Sequence, residues 1–450
     1  MARADRPALT RAASTSAANA KTASASATRA SEAGTGTARA AVEAVWRMES
    51  ARIVGALARY TGDFSLAEDL AQEALAEALV SWAIDGVPAQ PIGWLLTVGR
   101  RRAIDTFRRR SARDERYAVL ARDLDADVPG ADTLFDPDAI DDDVLALMFV
   151  ACHPVLSKDA RIALTLRVVG GLSTDEIAKA FLVPVATIQA RITRAKKALA
   201  REHVAFAVPQ RHELAARLGS VLQVVYLIFT EGSSASGGDE WMRTDLATEA
   251  YRLARVLVRL APEPEVFELL SLLELTAARF PARLDASGRP VLLEDEDRRL
   301  WDRSAIKRGR AALAQAVAAG TGLGAYGLQA SIAECHAVAP SVAGTDWARI
   351  VILYDALQRL TPSPIVALNR AVAVAMASGP ASGLALVDAM DARGELSGSH
   401  LLPAIRGELL ARLGRVDDAR SALLEAARLC GNAAERRELE RKIRTLADRD

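Results

Sequence analysis

Aromatic side chains are scarce in this 450-residue chain: Phe, Trp and Tyr together make up 5% of it. Half of the residues are nevertheless hydrophobic, so a sizeable core must be built largely from Ala, Leu and Val. Ala and Leu are strong helix formers, whereas strands favour β-branched and aromatic residues. The composition therefore points to an all-α fold. Cysteine is scarcer still. Cys152, Cys335 and Cys430 are odd in number, far apart and form no C-x-x-C pair, which speaks against a disulfide framework and against a zinc site of the usual spacing. Cys152–His153 and Cys335–His336 are adjacent pairs. They are read as buried small side chains on helices, because free Cys is commonly buried, and no metal site is expected. No run of about 18 apolar residues occurs, so no membrane span is expected. The G-x-x-x-x-G-K-[ST] phosphate loop, the G-x-S-x-G elbow and the H-E-x-x-H metal motif are all missing. No catalytic residue and no cofactor are expected, and the chain is not read as an enzyme. An excess of one charge sign is missing too. Fifty-seven basic residues balance 57 acidic ones, so any nucleic-acid-binding surface must be local.

What is present divides into blocks. Residues 1–40 are rich in Ala, Ser, Thr and Arg, without large apolar periodicity. Such a segment cannot bury enough surface to offset its ordering entropy, and it is expected to be a disordered tail. An upstream start in error, or an organelle transit peptide, are the other readings of this composition. A first helical block spans about 41–115. Val45, Met48, Ile53, Leu57 and Tyr60 recur at near-helical spacing. Thr61-Gly62-Asp63 breaks the pattern, and Ser65 with Glu68 is a candidate capping box for the next helix. That helix carries Leu66, Leu70, Leu75 and Leu79 beside an acidic face of Asp69, Glu73 and Glu77. A third helix, from about Pro91, ends in Arg100, Arg101, Arg102, Arg108, Arg109, Arg110 and Arg113, opposed only by Asp105. Seven arginines repel one another unless an anion is near. Phosphate is the obvious partner, with Trp94 and Phe107 placed to stack on unpaired bases; a solvated charged face is the alternative.

An acidic stretch with nine aspartates between Asp123 and Asp143 marks a flexible linker, 116–142. It either simply connects two basic blocks or fends off wrong contacts with DNA. The second block, 143–204, holds the sharpest signal. Leu145–Val150 and Ile162–Val169 read as helices, and Gly170-Gly171 stops the second. Ser173 and Glu176 form a capping box for a short helix, Thr174 to Phe181, with Ile177 and Ala178 facing inward. After a Leu182-Val183-Pro184 turn, a last helix carries Ile188, Ile192, Ala195 and Leu199 inward. It shows Gln189, Arg191, Arg194, Lys196, Lys197 and Arg201 outward. This is the plan of a helix-turn-helix, whose second helix enters the major groove. Arg pairs bidentately with guanine and Gln with adenine, while the later basic residues hold phosphates. An ordinary helical hairpin with a solvated basic face is the bland alternative.

Residues 211–450 are Ala- and Leu-rich and read as helical throughout, with turns at Glu231–Gly238, Pro281–Pro290, Gly320–Gly324, Pro340–Gly344 and Gly379–Gly383. Gly407, Leu410, Ala419, Leu423 and Ala426 sit at the intervals of a tetratricopeptide repeat, with Leu413-Gly414-Arg415 at its turn and a weaker copy over Asn369–Asp388. Stacked helix pairs of this kind form a concave binding surface; a generic bundle is the alternative. The charged segment Glu294–Arg303 is either a contact surface or a set of interhelical salt bridges.

In their order, these pieces resemble bacterial RNA polymerase sigma factors of the extracytoplasmic-function (ECF) type, over about residues 41–201. Ala67-Glu68-Asp69-Leu70-Ala71-Gln72-Glu73-Ala74 is similar to the family's core-docking segment. The resemblance implies that Asp69, Gln72 and Glu73 contact the clamp helices of the polymerase largest subunit, with the flap as a further contact on the core. Gly93-Trp94-Leu95, Arg100-Arg101-Arg102-Ala103-Ile104-Asp105 and Arg108-Arg109-Arg110 resemble the −10-reading segment. This implies −10 contacts from Trp94, Arg100, Arg101, Arg102, Arg108, Arg109 and Arg110. The family often has Asn where Arg101 stands here. Leu172–Ala178 and Val185–Arg191 match the −35 reader, implying contacts from Thr187, Gln189, Ala190, Arg191, Arg194 and Lys197. Tyr226–Gly232, Leu292–Arg298 with Trp301-Asp302, and Ser363–Val372 are similar to segments of the ECF42 group, which carries a tetratricopeptide-like extension thought to regulate or support activity. The implied partners are core RNA polymerase, promoter DNA and an unknown protein on the extension, with no membrane partner, in the cytoplasm. The rival reading is a helix-turn-helix regulator with a helical sensing domain that works without polymerase. A second rival is a scaffold whose repeat domain binds proteins.

Overall fold

The computed structural model describes residues 38–111, 137–181, 183–235 and 241–447. Most of the expected tail and most of the acidic linker, together with Arg113 and Leu182, lie outside the described residues. Among the described residues the structure is helical, with no strand; Leu284 and Pro290 form an isolated bridge. The helices are α1 (38–61), α2 (Phe64–Asp85), α3 (Pro91–Ser111), α4 (Pro137–Ala151), α5 (Lys158–Val168), α6 (Thr174–Ala180) and α7 (Val185–Arg201). Then follow α8 (Arg211–Ser233), α9 (Thr244–Leu260), α10 (Pro264–Ala277), α11 (Arg303–Ala318), α12 (Ala325–Val338), α13 (Trp347–Leu360), α14 (Pro364–Ser378), α15 (Pro380–Ala392), α16 (Leu401–Arg412), α17 (Val416–Leu429) and α18 (Ala433–Ala447). Two compact units emerge. The first comprises residues up to Ile177 with Ala186–Arg217, the second Ala178–Val185 with Leu218 onward.

In the first unit, α1 buries Val42, Trp46, Ile53 and Leu57. Met48, expected on the apolar face, is two-thirds exposed; the buried stripe runs through Val42 and Trp46 instead. The start of α2 also differs from expectation. Ser65 lies inside the helix, and Asp63 is the N-cap, its carboxylate accepting from the Leu66 N–H at 3.1 Å. Glu68 is thereby released from a capping role and is buried. Leu79 ends exposed rather than packed.

The turn after α5 fixes where the helix-turn-helix begins. Gly171 has φ +71°, and a Cβ there would stand 2.9 Å from both Ser50 Oγ and the Trp46 carbonyl of α1. Both the left-handed backbone and the close approach require glycine. Gly55 of α1 is likewise tight against Asp143, whose Cβ would be 3.0 Å away. The two basic blocks thus pack on each other through positions without side chains.

In the second unit, consecutive helices pack pairwise along the chain: α13 on α14, α14 on α15, α15 on α16, α16 on α17 and α17 on α18. Gly407, Leu410, Ala419, Leu423 and Ala426 are all buried between α16 and α17. A Cβ on Gly407 would meet Leu423 Cγ at 2.7 Å, and one on Gly383 would meet Ala375 Cβ at 2.4 Å. The small residues therefore mark close helix crossings. The expected turn at Gly379–Gly383 is a single residue, Gly379, with α15 starting at Pro380. Of the two readings of the segment 294–303, ion pairs are what the structure places there. Buried Glu296 pairs with Arg279 at 2.6 Å, and Glu294 with Arg412 at 2.8 Å.

Gly171→Ala is expected to lower stability by about 2–4 kcal/mol, combining left-handed strain with overpacking. Denaturant unfolding checks this; an unchanged midpoint would mean that the turn is not anchored on α1.

Candidate nucleic-acid interface

The helix-turn-helix is built from local rules. The Ser173 N–H donates to Glu176 Oε2 at 2.8 Å, and the Glu176 N–H donates to Ser173 Oγ at 3.1 Å. This reciprocal pair is the capping box read from sequence. Burial works against the Glu176 charge, but the Ser173 amide and hydroxyl and the Arg47 guanidinium together hold its carboxyl below the usual range. Ile177 and Ala178 of α6, and Ile188, Ile192, Ala195 and Leu199 of α7, are buried. The opposite face of α7 is exposed at Gln189, Ala190, Arg194 and Lys197, with Thr187 half-buried. Arg194 Nε donates to the Ala190 carbonyl at 3.2 Å, and Arg191 is half-buried in an ion pair with Asp159 at 3.0 Å.

Lys196 departs from expectation. It is drawn off the outward face, its ammonium donating to Glu68 and, at 2.9 Å, to Asp69 of α2. Burial opposes its charge, but these two carboxylates raise its pKa. Arg167 of α5 stands 3.7 Å from the other oxygen of Glu68, and Arg47 of α1 pairs with Glu176. A buried carboxylate flanked by two cations thus ties the first block to the second.

The arginine helix is also more engaged than the sequence implied. Arg101 and Arg102 bond Glu77 at 2.8 and 2.6 Å, and Arg102 reaches Glu73 at 3.1 Å. Hydrogen bonding from Arg102 leads the effects that lower the Glu77 pKa. The anion expected near the cluster is therefore supplied in part by α2. Arg100 is half-buried, 4.9 Å over the Tyr60 ring, and burial lowers its pKa. Arg108 and Arg109 are exposed, Arg109 Nε donating to the Asp105 carbonyl. Arg110 lies in α3; its side chain is outside the described residues. Trp94 is half-buried and edge-on to Trp82, with centroids 5.6 Å apart. Phe107 is buried at 2% exposure, so it serves the core of α3 and is not available to stack on bases. Among the expected core contacts, Asp69 and Glu73 are exposed and Gln72 is half-buried, with its amide nitrogen lacking a hydrogen-bond partner.

A capped helix-turn-helix behind an arginine-rich helix and an acidic α2 is the layout of a promoter-recognition subunit. The family described as Sigma-70 region 2 matches residues 46–113, and Sigma-70, region 4 matches residues 146–199. Residues 217–317 match a family of unknown function, DUF6596. A Rhizobium meliloti protein described as uncharacterized is 44% identical over 388 residues, 85% of this chain and 90% of that protein. The ECF RNA polymerase sigma factor SigK of Mycobacterium ulcerans is 30% identical over 152 residues, 33% of this chain and 78% of SigK. The probable ECF RNA polymerase sigma factor SigI of Mycobacterium tuberculosis is 30% identical over 39% of this chain and 60% of SigI. No solved structure matches. The chain belongs to the ECF RNA polymerase sigma factor family, and it carries a helical C-terminal region beyond the two sigma domains. Sigma factors bind core RNA polymerase and promoter DNA and are non-enzymatic initiation factors. No helix among the described residues is long and apolar enough to cross a membrane.

Ser173→Ala should cost about 1 kcal/mol of helix-turn-helix stability, read as faster amide exchange in α6. Because the folded Glu176 value is depressed, its contribution is present above the ordinary value of 4.5 and lost as pH falls through the lowered one. Unchanged exchange in the variant would contradict the capping role.

Proposed function

We propose that this protein, bound to core RNA polymerase, directs initiation at promoters with −35 and −10 elements. Thr187, Gln189, Ala190, Arg191, Arg194 and Lys197 read the −35 element in the major groove. Trp94, Arg100, Arg101, Arg102, Arg108, Arg109 and Arg110 engage the −10 element, and Asp69, Gln72 and Glu73 dock on the clamp helices of the largest subunit. The flap is a further contact on the core. The protein works in the cytoplasm, with its polymerase. The C-terminal helices, stacked in the manner of tetratricopeptide repeats, regulate or support this activity by holding a protein partner. The observation that carries the reading is the reciprocally capped helix-turn-helix, whose partner helix exposes Gln189, Arg194 and Lys197.

The bridge from Lys196 to Asp69 adds a requirement. The two promoter elements are named for positions about 25 base pairs apart, roughly 85 Å of B-DNA at about 3.4 Å per base pair. Blocks that share a 2.9 Å ion pair cannot sit on both elements at once. Binding to the polymerase must therefore separate them, freeing Asp69 for the clamp helices and Arg101 and Arg102 for DNA.

Reconstitution tests the proposal. Full-length protein with bacterial core polymerase is expected to initiate from a promoter selected out of random sequence. Arg191→Ala and Arg194→Ala should each lose about 1–3 kcal/mol of −35 base discrimination. Tight duplex binding without core, with no initiation in its presence, would replace this reading with a polymerase-independent regulator. Normal initiation by both variants would show that the recognition helix has a different register.

A further inference from the structure

The last three helices bring together side chains that the sigma function does not use. His400 is the residue before α16, Cys430 closes α17, and Glu435 lies in the first turn of α18. Their donor atoms, an imidazole nitrogen, a thiol sulfur and a carboxylate oxygen, all lie within 4.8 Å of one another. His400 Nε2 is 3.1 Å from Glu435 Oε1. That nitrogen is buried, yet it makes no hydrogen bond. Either a proton on that nitrogen or a metal ion reconciles it with the facing carboxylate, and an unsatisfied buried polar atom costs about 1–3 kcal/mol. Something positive belongs between them.

We propose that His400, Cys430 and Glu435 form a binding site for a divalent transition metal of the Zn2+ class. The donor set is the mixed nitrogen, sulfur and oxygen set that zinc accepts. Tetrahedral zinc with bonds of about 2.0–2.1 Å to N and O sets those two atoms roughly 3.3 Å apart, and the observed 3.1 Å is already close. The sulfur needs a shift on the order of 1 Å to complete the triad. The surroundings hold the ligands in place. Asn432, buried, accepts from the Ala434 and Glu435 N–H groups and donates to the Ala235 carbonyl at 3.1 Å. Arg436 donates to the Cys430 carbonyl at 2.7 Å. Cys430 sits at the buried end, 2% exposed, while His400 and Glu435 are about a quarter exposed and give an ion an entry path. Three protein ligands leave a fourth position for water or an outside ligand. Binding replaces the Cys430 proton, which goes to solvent. Metal competes with that proton, so occupancy should fall as pH falls. An ion here would pin the start of α16, the end of α17 and the start of α18 to one point.

Cobalt(II) titration of the untagged full-length protein tests the site. One equivalent should give a near-ultraviolet thiolate-to-cobalt charge-transfer band and the strong visible bands of tetrahedral cobalt, both displaced by Zn2+. Cys430→Ser should abolish the charge-transfer band. His400→Ala should weaken binding by more than the roughly 10–100-fold that loss of an outer-shell partner costs. Cys335→Ser, elsewhere in the same unit, should leave the titration unchanged. Circular dichroism separates loss of a ligand from loss of fold. If folded wild-type protein shows no band, or if folded Cys430→Ser retains it, His400 and Glu435 are an ordinary ion pair and the proposal fails.

Discussion

A buried carboxylate organises the first unit. Glu68 is 5% exposed, and it is held by the Lys196 ammonium on one side and the Arg167 guanidinium on the other. An ion taken out of water costs several kcal/mol, recovered only when its partners are well placed. Glu68 can therefore be buried only while α2, α5 and α7 keep one relative position. Gly171 and Gly55 extend that constraint, since both sit where the blocks come too close for a side chain. Charge pairing and close backbone approach make this arrangement specific. Under the proposed function, a polymerase surface that offers Asp69 a better partner would loosen it.

The same logic explains the balanced composition. Of the 57 basic and 57 acidic residues, several of those expected at the DNA surface are paired within the described residues. Arg101 and Arg102 are neutralised by Glu73 and Glu77, Arg191 by Asp159, and Lys196 by Glu68 and Asp69. Much of the basic surface expected to meet DNA is thus paired within the chain. Under the proposed function, these side chains would exchange their carboxylate partners for DNA phosphates when the protein joins the polymerase at a promoter. Exposed ion pairs are individually weak, which keeps that exchange inexpensive.

Features set by local rules were legible in the sequence. The Ser173–Glu176 box, the stop at Gly171 and the inward positions Ile188, Ile192, Ala195 and Leu199 all follow from spacing within a helix or two. The small residues Gly407 and Ala419 likewise betrayed a close helix crossing. What depended on distant partners was not legible. Lys196 follows Ile192 by four and precedes Leu199 by three, on the flank of the buried face, whereas Lys197 lies opposite it; that Glu68 and Asp69 are the partners of Lys196 depends on the position of α2. Phe107 stands among arginines in the sequence, a place suited to base stacking, but the fold needs it as core. Asp63 caps α2 in place of Ser65 because the helix starts two residues earlier than the capping-box pattern suggested. His400, Cys430 and Glu435 carry no recognisable motif, since two helices and the turn between them separate the first two, and only the fold of the last three helices brings their donor atoms together.

The central claim is that the two sigma domains rest against each other and part when they engage a promoter. Fluorescence energy transfer between labels at the exposed positions Ala76 on α2 and Thr193 on α7 measures this directly. The account predicts a short distance in the free protein and an increase of tens of ångströms, on the scale of the roughly 85 Å between elements, once core polymerase and promoter DNA are added. An unchanged distance in an initiation-competent complex would contradict it.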